Sequence, residues 1–190
     1  MDIKLREANK AMGSMRIPIV VYIFCLMWIV YFLDFLIPGS LTSWGIQPRS
    51  LSGLLGIVFA PILHHGMWHI LSNSIPLLVL GILLHVGHKQ DQLKIIIGIC
   101  FIGGIGTWSF GSTAIHVGAS GLIMGLWSLL ITSAIVNRSP LSILTGIVAF
   151  VVYAGFLFTV IDVRAHISWS SHVFGLIAGF LIAKMLDKRQ

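Results

Sequence analysis

Gly118-Ala119-Ser120-Gly121 leads straight into LIMGLWSLLITSAIV, residues 122–136, which carry no charged side chain. A run of that length and composition reads as a membrane-spanning helix. It opens with a hydroxyl, an expensive group to keep dry and unpaired in a bilayer. Working outward, five more stretches of the same kind appear, and the six are placed at 17–37, 67–87, 93–110, 120–136, 141–161 and 170–186. The last carries His172 near its start, at the position matching Ser120 in the fourth. Two polar groups at similar depth on different spans point to a meeting between them, and a serine beside a histidine is half of a hydrolytic device.

The composition supports the same fold class, all-α and polytopic. The chain has 190 residues, 57% hydrophobic and 9% charged, with mean hydropathy +0.98. Soluble domains carry about 25% charged residues. The length allows one domain. Its expected layout is a cytoplasmic segment 1–16, a six-helix domain 17–187 with a first outer loop at 38–66, and a tail at 188–190.

The net charge of +6 is not spread as a nucleic-acid surface would be. Lys4, Arg6, Lys10 and Arg16 precede the first span, Lys89 and Lys94 follow the second, and Arg138 follows the fourth. Lys184, Lys188 and Arg189 end the chain, leaving Arg49 and Arg164 for the opposite side. This bias predicts cytoplasmic termini and basic contacts with anionic lipid heads, and no nucleic-acid partner. The first apolar run exceeds a signal-peptide core and lacks a small-x-small cleavage site, so it reads as a retained span. Cys25 and Cys100 fall within spans and are expected as two buried free thiols.

The second, fourth and sixth spans run from outside to inside. At 1.5 Å per residue, Ser120 lies about 27 Å from Arg138, His172 about 24 Å from Lys188 and His69 about 30 Å from Lys89. All three therefore belong to the outer part of the membrane. The loop 38–66 is semi-apolar and broken by prolines, which suits a segment lying in or on the outer leaflet. The glycine-rich stretch 103–118 is expected to hold irregular backbone.

Each polar group has a chemical reading and a plainer one. Ser120, flanked by Gly118 and Gly121 at a helix start, can attack a carbonyl while first-turn N–H groups hold the oxyanion. It can equally be a helix N-cap with packing glycines. His172 can take the serine proton or bond a loop carbonyl. Gly175 and Gly179 follow it at the spacing for close helix packing, with the fourth span as the expected neighbour. His69 and Asn73 share one helix face and can donate to an oxyanion, or simply satisfy one another's surroundings. His64 precedes them and could order water. His65 and His69 are also four apart, but no Glu, Cys or Asp is near to complete a metal site, so neither metal nor cofactor is expected. His85 and His88 at the inner interface, His116 and His166 in outer loops, Asp34, and an Asp162–Arg164 pair all read as bland. Without a carboxylate partner for His172, the expectation is a dyad.

With these residues in order, the chain resembles a rhomboid intramembrane serine protease. The resemblance rests on His64-x-x-x-x-His69-x-x-x-Asn73, Gly118-x-Ser120-Gly121 and His172-x-x-Gly175-x-x-x-Gly179, on the second, fourth and sixth spans. It implies a six-helix core that cleaves transmembrane segments of single-span membrane proteins, with a small residue before the cut. It implies Ser120 as nucleophile, and His172 as base and acid. His69, Asn73 and the Ser120 N–H would form the oxyanion hole, with Gly118 beside it, and His64 would retain water. The loop 38–66 would be the family's lateral first loop. Two departures stand out. The family's Trp-Arg pair is replaced by Leu54-Leu55-Gly56, so the loop must be anchored differently, and Met124 replaces a tyrosine that stacks on the histidine. No extra soluble domain or seventh span is expected. A helix-holding relative without catalysis and a small transporter are the rival readings, and no internal repeat supports the latter.

Overall fold

The computed structural model describes residues 17–155 and 168–187. Among them are seven α-helices and no strand. These are α1 (Ile19–Asp34), the single turn α2 (Gly56–Phe59), α3 (Met67–Gly87), α4 (Gln92–Phe110), α5 (Ser120–Val136), α6 (Pro140–Tyr153) and α7 (Trp169–Asp187). Three of them, α3, α4 and α7, are long and apolar enough to cross a bilayer, and α1, α5 and α6 are shorter apolar helices. The last six residues of the expected fifth span, 156–161, and Asp162, Arg164 and His166 lie outside the described residues.

The helix ends follow local chemistry. Pro18 precedes α1. Ser139 accepts from the Ser142 N–H ahead of α6, whose first residue is Pro140, a position where a missing N–H costs nothing. Pro76 sits inside α3, where Ser72 and Ser74 hydroxyls donate back to the His69 and Ile70 carbonyls.

Helix α5 is the axis of the bundle. Ten of its seventeen residues are buried, against four of fourteen in α6. Its apolar core joins Leu126, Leu129 and Leu130 to Ile70, Leu77 and Ile99. Large side chains such as Tyr22, Ile29, Phe101, Leu144, Ile147 and Phe180 point outward and exposed. In water that surface would be a liability, whereas lipid tails are a matching solvent for it. Cys25 is on this outer surface rather than buried, and Cys100 is half-buried. A helix with lipid on one side gives a thiol an apolar home without protein around it, which sequence alone did not separate from the core.

Close helix contact comes from glycine, as expected where backbone packing drives association. A Cβ on Gly175 would strike the Gly121 carbonyl, and one on Gly179 the Gly125 carbonyl. The α5–α7 interface is therefore a two-turn seam of backbone on backbone, reinforced where the Ser128 hydroxyl donates to the Leu176 carbonyl at 2.8 Å. The stretch 103–118 is not irregular from its start: α4 continues through Gly103, Gly104 and Gly106 to Phe110. These glycines are packing surfaces for Gly175, Ile57 and Phe174. Only 111–119 is non-helical.

The first loop is tied down by bonds of its own. Ile46 and His116 exchange both backbone hydrogen bonds, at 2.9 and 2.8 Å. Arg49 donates through its backbone N–H to the Trp108 carbonyl at 3.0 Å and through Nη1 to the Gly111 carbonyl at 2.9 Å. Trp108 returns a bond from Nε1 to the Ser50 carbonyl at 2.8 Å. An arginine and a tryptophan thus anchor the loop, but the tryptophan belongs to α4. Arg49 is held at φ 60° by this lacing, a backbone region uncommon for side-chain-bearing residues.

Candidate active site

Ser120 is the first residue of α5, and the cap before it is Ala119, with no side-chain bond to the helix end. The N-cap reading of the serine is thereby removed: its hydroxyl is not used to start the helix. The segment ahead of it is shaped for approach. Gly118 adopts φ +112°, where an L side chain is strained. A Cβ there would sit 2.5 Å from His69 Nε2, so the His69 ring lies directly over the Gly118 backbone.

Two backbone donors of this segment are already engaged. The Gly118 N–H donates to the Ala60 carbonyl at 2.8 Å, and the Ala119 N–H to His64 Nε2 at 3.3 Å. Among the described residues, the Ser120 N–H has no protein acceptor. It belongs to the first helical turn, whose donors have no partner within the helix.

His64, in the link ahead of α3, is therefore a clamp on the backbone beside the serine. Accepting at Nε2 places its ring proton on Nδ1, near the Ile62 carbonyl but outside hydrogen-bonding geometry. Burial, with the positive field of a charged His69 second, pushes its pKa down to about 3, so the ring is neutral at physiological pH. The rings of His64 and His69 meet edge-on, 4.9 Å between centroids. Asn73 is buried, and its amide donates one hydrogen to the His69 carbonyl at 2.7 Å. The second hydrogen of that amide remains for another acceptor.

His172 is buried near the start of α7 and lies within electrostatic range of His69. Its neighbour Ser171 touches the other helix directly: a Cβ on Gly121 would be 3.2 Å from the Ser171 carbonyl. Ser120 and His172 are thus each one residue from a contact in the α5–α7 seam. The described hydrogen bonds do not include one between the Ser120 hydroxyl and His172. Such bonds are often long before substrate binds. Met124, a turn below Ser120, is fully buried.

A cavity of about 40 Å³ adjoins the segment, lined in part by Ala60, Gly103, Thr107, Gly118 and Ser171. That is room for a few waters at most. Among the described residues no three His, Cys, Asp or Glu side chains converge as a metal site, and His65 is exposed.

One residue of this region escaped the sequence reading. His116 is only 4% exposed. Its Nδ1 is 2.6 Å from the Ser168 hydroxyl, and Ser168 in turn bonds the Ser171 hydroxyl. The one available signal was a histidine placed four residues before Ser120 in a loop otherwise poor in titratable groups.

Known proteins resemble this chain along most of its length. Residues 51–189 match the model of the Rhomboid domain. An uncharacterized protein of Mycobacterium tuberculosis is 34% identical over 171 residues, 85% of this chain and 71% of its own length. One from Mycobacterium leprae is 34% identical over 172 residues, 85% of this chain and 68% of its own. A Bacillus subtilis protein named "Putative rhomboid protease YdcA" is 27% identical over 179 residues, 87% of each chain. The chain spanned by these matches, with its apolar helices, is an integral membrane protein and belongs to the rhomboid family.

Proposed function

We propose that this protein is an intramembrane serine endopeptidase, with Ser120 as nucleophile and His172 as general base and then acid. The observation that carries this reading is the glycine seam. It sets a serine not used as a cap and a buried histidine at one level of adjacent helices, with His69 laid over Gly118 beside them.

In the reaction, Ser120 Oγ attacks the scissile carbonyl as His172 takes its proton. The oxyanion accepts from the Ser120 N–H, from His69 and from the second amide hydrogen of Asn73. The C–N bond breaks, and His172 delivers the proton to the leaving amine. Water then gives a proton to His172 and attacks the acyl-enzyme, releasing a carboxylic acid and restoring the serine. Gly118, lacking a side chain, lets the His69 ring lie against the backbone beside Ser120. The clamp from His64 to the Ala119 N–H holds the backbone next to the oxyanion site, in addition to any part His64 plays in ordering water.

The substrate must offer an exposed peptide bond, because an intact helix shields its own carbonyls. Single-span membrane proteins with helix-breaking residues near the outer end of the span meet that requirement. The chain is read as crossing the membrane six times, with both termini on the cytoplasmic side of a bacterial cytoplasmic membrane. At 16, 17 and 14 described residues, α1, α5 and α6 reach about 24, 26 and 21 Å, so thinning or flanking turns must complete their crossings. The inward-facing basic residues touch lipid heads. No nucleic acid or cofactor takes part.

The test is cleavage of tagged single-span substrates in proteoliposomes by wild type, Ser120→Ala and His172→Ala, alongside labelling by a fluorophosphonate probe. Cleavage and labelling by wild type alone are expected. Equal labelling of wild type and Ser120→Ala would instead leave a helix-holding protein, and solute flux surviving Ser120→Ala would indicate a transporter.

A further inference from the structure

His116 is held on both sides by groups whose chemistry fixes its proton. A carbonyl can only accept, so Nε2, 3.1 Å from the Ser112 carbonyl, carries the hydrogen. Nδ1 must then accept from the Ser168 hydroxyl at 2.6 Å. Ser168 has spent its one hydrogen and must accept from Ser171. The result is a one-way chain, Ser171 to Ser168 to His116 to the Ser112 carbonyl.

The two ends of this chain matter. Ser168 and Ser171 flank the start of α7, and the Ser168 carbonyl accepts the His172 N–H at 3.3 Å. The backbone of His116 is fixed to the first loop through the paired bonds with Ile46. It also stands four residues before Ser120 on one continuous segment. That short segment carries the nucleophile at one end and a grip on the histidine's helix at the other.

We propose that His116 is a positioning residue that sets the rotation of the first turn of α7, and so the direction in which His172 faces Ser120. This rests on the protease reading above. The bonded Ser168–His116 pair is a scaffold and not a second nucleophile: its imidazole is buried and its hydroxyl is shared with Ser171. The glycine seam reaches the first turn of α7 only through backbone, Gly121 against the Ser171 carbonyl, and the bonds from Ser168 and Ser171 towards His116 add a side-chain hold on that turn.

The test uses the full-length protein in detergent micelles. His116→Phe keeps the ring volume and removes the acceptor, whereas His116→Asn keeps an acceptor oxygen near the Nδ1 position. The proposal expects His116→Phe to lower kcat about tenfold with KM unchanged, and His116→Asn to recover most of it. Ser168→Ala should match His116→Phe, and the double variant should be no worse than either, the signature of one shared interaction. In ¹⁵N-histidine spectra, His116 should show the Nε2–H tautomer, and the His172 nitrogen signals should move in His116→Phe and return in His116→Asn. Additive losses, unmoved His172 signals, or wild-type kcat in His116→Phe would overturn the proposal. So would loss of probe labelling in Ser168→Ala as complete as in Ser120→Ala, which would make Ser168 a nucleophile. If Ser120→Ala retained full cleavage, the protease reading would fall, while the His172 signals would still judge the positioning role.

Discussion

Two serine–histidine pairs stand within a turn or two of each other, and they are built in opposite ways. In the first, His116 and Ser168 are hydrogen bonded at 2.6 Å, and the imidazole is closed off on its far side by a carbonyl. In the second, Ser120 and His172 are set on adjoining helices by glycine contacts, and Ser120 makes no side-chain hydrogen bond among the described residues. A fully committed pair has no proton to spare and suits a scaffold. A pair held close by its backbones, with the hydroxyl uncommitted, can exchange partners as a substrate arrives. Proximity of a serine to a histidine is therefore not in itself the mark of catalysis.

The contrast can be broken most directly at the hydroxyls. Ser120→Ala or His172→Ala should lower cleavage on the order of 10⁶-fold, against about tenfold for Ser168→Ala, measured as initial rates on one substrate. If the two serines mattered equally, the division of labour would be lost. Asn73→Ala comes next, with a loss on the order of 10²-fold in kcat for removal of an oxyanion donor, read at saturating substrate. Gly118→Ala should cost about 1–3 kcal/mol in strained backbone and at least tenfold in rate, because its methyl group would displace His69. Thermal unfolding and turnover measured together separate the two effects.

Smaller effects sharpen the picture. The His64 pKa is depressed in the folded protein, so the unfolded chain binds the proton first as pH falls. Its contribution to stability is full above about pH 6.5 and is lost on acidification towards about pH 3. His64→Asn retains an acceptor for the Ala119 N–H and should flatten that acid limb in unfolding curves recorded from pH 7 to 4. Arg49 should show the least effect. Arg49→Ala removes the guanidinium bonds but keeps the left-handed backbone, whereas Arg49→Gly relieves the backbone. The glycine variant should be the more stable of the two by about 1 kcal/mol.

Much of the helical framework could be read from the sequence because the bilayer imposes length and polarity on every span. The helices Met67–Gly87 and Ser120–Val136 begin and end where the apolar runs do. The reading failed where one residue type serves two ends. Gly103, Gly104 and Gly106 loosen a backbone in water but bring helices together in lipid, so α4 runs on to Phe110. It failed again where partners are distant in sequence. The bonds from Arg49 to Gly111 and from His116 to Ser168 span 62 and 52 residues, and no local pattern announces them. The polar groups Ser120, His172, His69 and Asn73 stood out as candidates because each is costly in an apolar run. His116 was passed over because a loop histidine ordinarily has water for company.

The backbone seam between α5 and α7 has a consequence for life in different lipids. Bilayers that are too thick or too thin act on spanning helices by making them lean. Two helices meeting through side chains can slide past one another as they lean. Helices locked glycine to carbonyl over two turns must lean as one rigid plank. The vertical register of Ser120 against His172 should then survive changes in acyl-chain length that shift the rest of the bundle.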